Sequence, residues 1–429
     1  MTIEIPAAEP ASVLSEIDKL ISTLQNIKTS VSDLKRNHNA VNIDSRKALQ
    51  SCWDGVDKLT SMLAPPQDVL TLIVGSCLES KALTAAADLG IADALKDSEL
   101  SIDEIAKLVD ADPRKLRQIL SLLANRSVFI QNGEKFTNNA ISSSLRTDHP
   151  KSMRDFVLHW GHDSYRGANR LAEAIRLANA SKAPWELEMG KSFYDWIHQP
   201  ENAALSTRVN GAMSNYSNGL QDGIVEDFDW SILGEKATLV DIGCGVGAVD
   251  LALCKRWPNL TFELQDLPSV IDDAKKVGLL VSSQLNCDFT IKAKLPSPLF
   301  LQFWAKEDAE LCSRVTFTPH DFFQPQSGRH RHFLIKQCLH NWSDVDCLRI
   351  LRHIRQAISE DGRFFAAEFV MTATSNRVKH MVDVNMLTLV NSLQRTEEQF
   401  KKLFYDAGFR IVDVHENRSA ISIVEAIPI

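Results

Sequence analysis

The chain has 429 residues, 44% of them hydrophobic and 24% charged, with a formal net charge of −8. That length calls for two or three domains around sizeable cores, and an acidic balance gives no general attraction to phosphate backbones, so nucleic acid is not expected as a partner. No apolar run approaches the ~20 residues of a membrane span, and the start, MTIEIPAAEPASVLSEIDKL, lacks the basic and apolar parts of a secretory signal, which predicts a cytoplasmic protein with no membrane partner.

From the N-terminus, Val13, Ile17, Leu20, Leu24, Ile27, Val31 and Leu34 alternate spacings of four and three, the a/d seam of about three heptads. Such a seam needs a partner helix. It is either the next pattern, Ala48, Leu49, Cys52, Trp53, Val56, Leu59 and Leu63, or a second chain across a dimer. Pro65 and Pro66 then break the chain and set off residues 1–64 as a helical segment.

Residues 65–150 read as three helices and a hairpin, a winged helix. Ser101 with Glu104 makes a capping box, Asp112 before Pro113 opens the next helix, and Asn132-Gly133 predicts a type I′ turn between two short alternating runs. The helix after Asp112 carries Arg114, Lys115, Arg117 and Arg126. These residues either enter a DNA groove, as in a regulator, or solvate the outer face of a dimerisation unit. The acidic chain around them favours dimerisation, and apolar faces such as Leu83, Ala86, Ala87, Leu89 and Ile91 predict a homodimer.

Residues 151–225 form a helical connector rich in His159, Trp160, His162, Trp185, Phe193, Tyr194, Trp196 and Met213. Such side chains suit a pocket for a flat aromatic or polyketide-like molecule, although each taken singly also suits a core. From Ala237 onward, strand-like runs (ATLVDIG, LTFELQDL, RVTFTPHDF, RHFLIKQCL, GRFFAAEFVM) alternate with helical ones, and RIVDVHEN with SAISIVEAI closes the chain as an antiparallel pair. This α/β alternation predicts a doubly wound, Rossmann-like domain over residues 226–429. The HRH at His330 to His332 is read as a solvated basic loop in preference to a metal site. The eight cysteines lack zinc spacing, so reduced thiols and no metal are expected.

The string LVDIGCGVGAVD ends an apolar run in an acid and places Gly243, Gly245 and Gly247 before a helix. In a doubly wound sheet this bend lies where ligands bind, and its glycines let the backbone approach one closely. The spacing departs from the GxGxxG of a dinucleotide site. Asp266 ends the next strand, 19 residues beyond Gly247, where a carboxylate can accept from both ribose hydroxyls. An adenosine without a diphosphate is implied, so S-adenosyl-L-methionine is the expected cofactor and NAD the alternative.

With these segments in view, the chain from about residue 65 to 429 resembles the plant and fungal small-molecule O-methyltransferases of the caffeate, flavonoid and sterigmatocystin type. VDIGCGVG is similar to that family's glycine loop, ELQDLPSVI to its ribose-binding strand end, PHDFFQP to its adenine-flanking segment and LIKQCLHNWSD to its catalytic segment. The resemblance implies a winged-helix dimerisation domain followed by a class I methyltransferase domain. It further implies that Asp241, Gly243 and Gly245 shape the methionine side of the cofactor site, that Asp266 holds the ribose, and that Asp321 and Phe322 flank the adenine with Lys336 on the same side. His340 would be the general base and Glu368 would stand behind it. The chemistry agrees: a sulfonium methyl is already activated, so the protein must align an oxygen and remove its proton, and a histidine near ~6.5 accepts protons at neutral pH.

Three features depart from the family. LHNWSD has Asn341 in place of an acid, and Ser392-Leu393-Gln394-Arg395-Thr396 has Gln394 in place of a second carboxylate, so two negative charges near the imidazole are missing. These changes keep open a second resemblance, to fungal proteins of this type that retain the cofactor but catalyse dehydrations or pericyclic rearrangements. The passage from Asp266 to Asp321 is also roughly twice the family's length. Its surplus, Val277 to Gln302, is either a surface insertion or an in-frame unspliced intron.

Overall fold

The structure, a computed structural model, describes residues 10–34, 43–268, 270, 271 and 309–429. The surplus stretch 277–302 lies outside the described residues. The chain divides after Tyr165 into two compact units.

In the first unit, helix α1 (Pro10–Leu34) packs along α2 (Ile43–Leu63). Val13, Ile17, Leu20 and Ile27 of the seam are half-buried, and Lys58 Nζ donates to Glu16 Oε2 at 2.7 Å across the pair. Within the chain, α2 is the seam's partner. Helix α3 (Pro66–Asp88) turns Ala82, Thr84, Ala86 and Ala87 inward. Ala82 and Ala86 join a core built by α4 (Ile91–Leu95), α5 (Ile102–Leu108) and α6 (Pro113–Asn125) around Leu95, Ile105, Leu120, Phe129 and Phe136. Of the apolar face expected to meet a second chain, Ala86, Ala87 and Ile91 are instead buried within this one. The predicted caps form: the Ser101 N–H donates to Glu104 Oε2 at 2.8 Å, and the Lys115 N–H donates to Asp112 Oδ1 at 2.8 Å.

The wing holds β1 (Leu100–Ser101), β2 (Phe129–Asn132) and β3 (Lys135–Asn138), in the order β1-β3-β2. The first strand is only two residues long, too short to show as an alternation. The type I′ turn at Asn132-Gly133 is not what forms. Asn132 pairs with Lys135, so the central residues are Gly133 and Glu134, and of these only Gly133 has positive φ. A type I′ turn needs both, whereas glycine at the first central position is the II′ pattern. Of the basic side chains on α6 and at its C-terminal end, Arg117 pairs with Glu134, and Arg126, the residue after the helix, pairs with Glu79 at 3.3 Å.

The expectation that no segment approaches a membrane span needs correction at α3, which by length and composition alone is long and apolar enough to cross one. Its charges, Asp68 in the first turn and Glu79, Lys81 and Asp88 in the second half, leave Val69 to Leu78 uninterrupted.

The second unit begins with short helical pieces, among them Pro184–Met189 and Phe193–Ile197, followed by α7 (Ala203–Glu226). Its sheet contains β4 (Thr238–Ile242), β5 (Thr261–Asp266), β6 (Val315–Pro319), β7 (His330–Lys336), β8 (Ile358–Glu368), β9 (Phe409–Glu416) and β10 (Ser422–Pro428). The order is β6-β5-β4-β7-β8-β10-β9. Neighbours from β6 through β8 run parallel, and β10 is antiparallel to both β8 and β9. The central strands read as continuous apolar runs because both faces are covered. On one face α8 (Asp344–Ala357) and a helix at Glu397–Asp406 bury Ile350, Ile354, Phe400 and Phe404 against Phe333, Ile335 and Phe364.

The HRH reading is also corrected. It is not a solvated loop but the start of β7, where strand alternation carries His332 inward to 2% exposure. Burial pushes that imidazole down to about 4, so it packs neutral. No cluster of three metal-ligating side chains occurs among the described residues.

Candidate functional site

The strand order reverses between β4 and β7, and ligands of open α/β sheets bind at such a point, beyond the carboxyl ends of the strands. The chain leaves β4 there through Gly243, Gly245 and Gly247, with φ of 71°, 61° and 74°. At Gly243 a Cβ would meet Cys338 Sγ at 2.6 Å, while the space in front of Gly245 is open to 4 Å. A side chain is thus excluded by contact at Gly243, and by the positive φ at Gly245, where the backbone stays open to a ligand.

Under this loop lies Asp241, fully buried, with neither carboxylate oxygen reached by a hydrogen-bond donor among the described residues. Burial pushes its carboxyl well up from the usual range, and Asp250 on the following helix (Ala248–Arg256) adds to that. Asp250 is in the same state, pushed up to about 6 by burial. The two carboxyls face each other, and a buried acid pair of this kind needs a shared proton or a cationic group. Asp266 ties β5 to the loop: its Oδ2 accepts from the Gly245 N–H at 2.8 Å and its Oδ1 from the Leu267 N–H at 2.7 Å.

Asp321 follows β6 and accepts from the Phe323 N–H at 2.9 Å. The Phe322 ring lies beside Gly243, with Cε1 3.7 Å from where a Cβ would sit. It meets Phe323 and Trp342 edge-on, and Trp342 in turn stacks on Tyr194 at 6.1 Å. Lys336, at the end of β7, donates to Ser217 Oγ of α7 at 3.1 Å.

After β7 a short helical turn, Leu339–Asn341, buries His340 to 8% exposure. Glu368, at the end of β8, holds the turn by its amides: Oε1 accepts from the Cys338 N–H at 3.0 Å and the Leu339 N–H at 2.9 Å. Its other oxygen stands 3.4 Å from His340 Nδ1. The amide of Gln394 lies 3.1 Å from the same nitrogen. Burial pushes His340 down to about 4, well below the ~6.5 of a free imidazole, and Glu368 up to about 7. Asn341 turns away from the ring and donates to Gln337 O at 3.3 Å. Of the two changes read in the sequence, only Gln394 makes a hydrogen bond to the imidazole.

Arg395 was named in the sequence without a role. Its side chain is buried and clamps the other side of the turn, donating to Leu339 O at 2.8 Å, Trp342 O at 2.9 Å and Asp344 Oδ1 at 2.8 Å. His340 is therefore fixed by a carboxylate on the turn's amides and a guanidinium on its carbonyls. An imidazole so held, at the mouth of a glycine loop, can take a proton from a hydroxyl aligned beside it.

A family model described as an O-methyltransferase domain matches residues 169–293 and 303–410. The unmatched residues between those two ranges fall within 277–302. A second model, an O-methyltransferase dimerisation domain, matches residues 72–148. O-methyltransferase tpcA of Aspergillus fumigatus is 26% identical over 98% of this chain and 95% of its own length. Among solved structures, the mitomycin 7-O-methyltransferase MmcR is 25% identical with a TM-score of 0.68, covering 85% of this chain and 98% of its own. CalO1, a methyltransferase of calicheamicin biosynthesis solved with S-adenosylhomocysteine bound, shares the fold at 24% identity and a TM-score of 0.67, over 85% of this chain and 98% of its own.

Proposed function

Because the chain belongs to the O-methyltransferase family, we propose which hydroxyl it methylates and which of its residues do so. The protein is an S-adenosylmethionine-dependent O-methyltransferase with an N-terminal dimerisation region and a Rossmann-like catalytic domain. Its acceptor is a phenolic or enolic hydroxyl on a small aromatic or polyketide-like molecule of secondary metabolism, and the work is done in the cytosol. The observation that carries the assignment of roles is the buried His340, pinned by Glu368 and Arg395 beside the glycine loop.

The chain fits the cofactor on its own terms. The buried Asp241 and Asp250 carboxyls lie under the loop where an ammonium could take the place of the proton they hold, the space in front of Gly245 leaves room for backbone contact, Asp266 stands at the end of the next strand for a ribose, and Asp321 with Phe322 borders the adenine side. When bound, the cofactor supplies an electrophilic methyl group. Lys336, anchored on Ser217, places its cation between the loop and the catalytic turn. His340 accepts the acceptor's proton at Nε2, while Nδ1 faces Glu368 and Gln394.

Asp266→Ala should weaken binding of S-adenosylhomocysteine by about 1.5–3 kcal/mol, the range for charge-assisted hydrogen bonds. Calorimetry checks it, and an unchanged affinity would remove Asp266 from the site. NAD should not bind saturably.

Assembly as a homodimer is supported by the dimerisation match and by the outer face of α3, where Leu70, Leu72, Ile73, Val74 and Leu78 are exposed. Light scattering at micromolar concentration should give twice the 47.9 kDa chain mass, and Leu70→Lys with Val74→Glu should halve it. A wild-type monomer would contradict the proposal.

A second reading, a dehydratase or pericyclase that keeps the cofactor intact, draws on one observation. The imidazole's closest partner is the neutral Gln394 amide instead of a carboxylate.

A further inference from the structure

Beneath the glycine loop, Asp241 and Asp250 meet where neither has another partner. Asp241, near the end of β4, is 0% exposed, and Asp250, in the first turn of the helix Ala248–Arg256, is 1% exposed and faces it. None of their four oxygens is reached by a hydrogen-bond donor among the described residues.

The charged and titratable groups around the pair do not neutralise it. Lys336 on β7 attracts both acids from a distance, but its Nζ donates to Ser217 Oγ at 3.1 Å. Asp266 on β5 adds negative charge and commits its oxygens to the Gly245 and Leu267 amides. Cys244 in the loop and Cys338 after β7 border the same space as thiols that burial keeps protonated. Two carboxylates in contact, out of water and without donors, repel too strongly for both to ionise, so one proton is held between them. Only a cation that reaches the pair makes the second ionisation favourable. The loop above is open to one, since nothing stands within 4 Å of a Cβ built on Gly245.

Resting on the reading of this site as one for S-adenosylmethionine, we infer that Asp250 completes a two-carboxyl seat for the ammonium of the cofactor's amino-acid end, and that the cofactor takes this seat by displacing one proton to solvent. The exchange balances. The pair passes from one negative charge to two, the ammonium brings one positive charge, and the net charge of the site is the same before and after. Burial, which pushes Asp250 up to about 6 and Asp241 well above the carboxylate range, agrees with one proton on the pair near neutral pH. Cofactor loading therefore weakens as pH falls, and a ligand without the ammonium leaves the proton in place.

Calorimetry of S-adenosylhomocysteine binding to the full protein tests this, because that ligand keeps the ammonium and lacks the sulfonium charge. In buffers of differing ionisation enthalpy at about pH 7, the wild type should release about one proton per ligand, and its Kd should tighten about tenfold from about pH 7 to about pH 8. 5′-Methylthioadenosine, which has no ammonium, should bind with no proton release and no such pH dependence. Asp250→Asn supplies Asp241 with an amide donor, so Asp241 ionises before the ligand arrives; the release should fall to near zero and the pH dependence should flatten. Glu368→Gln should keep the release. If Asp250→Asn fails to fold, infrared difference spectra of the wild type carry the test: ligand binding should remove the carbonyl band of a protonated aspartic acid, identified with isotope-labelled aspartate. Binding of S-adenosylhomocysteine without proton release, a release that survives Asp250→Asn, or one that vanishes in Glu368→Gln overturns the inference and leaves the cofactor reading standing. Absence of saturable binding at either pH overturns that reading and the inference with it.

Discussion

His340→Ala is expected to keep its affinity for S-adenosylhomocysteine and to lose about 10²–10⁴ in turnover on a hydroxyl that is un-ionised at the assay pH, the usual contribution of a general base. An acceptor that is already ionised should be nearly indifferent to the change. The pH profile adds a sign. His340 is pushed down to about 4 and stays neutral through the working range, so the group that changes charge there is Glu368, pushed up to about 7. Above that pH Glu368 is ionised and stabilises the imidazolium that forms; below it the carboxyl is protonated and that support is gone. Turnover should therefore rise as pH increases through about 7, and Glu368→Gln should remove that limb. Full activity of His340→Ala on a weakly acidic phenol would leave alignment alone to carry the reaction.

Arg395→Met should destabilise the protein by about 2–4 kcal/mol, because it leaves the Leu339 and Trp342 carbonyls without their buried donor. Urea unfolding measures this. Since the lost bonds hold the turn that carries His340, turnover should fall more than the loss of folded protein explains, with little change in cofactor affinity. Arg395→Lys should recover part of the stability through one contact but not the forked geometry. An unfolding free energy equal to wild type would mean that the turn is held by other contacts.

Features built within one element or between adjacent ones were legible in the sequence. The glycine loop, the acids that end β4 and β5, the capping box at Ser101 and the alternation of strand and helix all depend on residues a few positions apart. What the sequence hid depends on distant packing. Gln394 meets His340 across 54 positions, so its replacement of an acid was visible while the hydrogen bond was not. Asn341, adjacent to His340, looked equally important and instead caps Gln337. The pairing of Asp241 with Asp250 is invisible because nothing in VDIGCGVGAVD shows that the following helix turns its acid back under the loop. The same holds for the depth of His340: a histidine in LHNWSD reads as an ordinary imidazole near ~6.5, and burial by the surrounding strands moves it.

The central claim, that this chain moves a methyl group from S-adenosylmethionine to an oxygen, is tested most directly by incubating the purified protein with methyl-labelled cofactor and a panel of hydroxylated aromatic and enolic metabolites. Mass spectrometry then follows both the label and the S-adenosylhomocysteine released. The account predicts a product carrying one labelled methyl on oxygen, with one equivalent of S-adenosylhomocysteine per product. Conversion of a substrate with no label incorporated and the cofactor recovered intact would contradict it and identify the protein as a dehydratase or pericyclase.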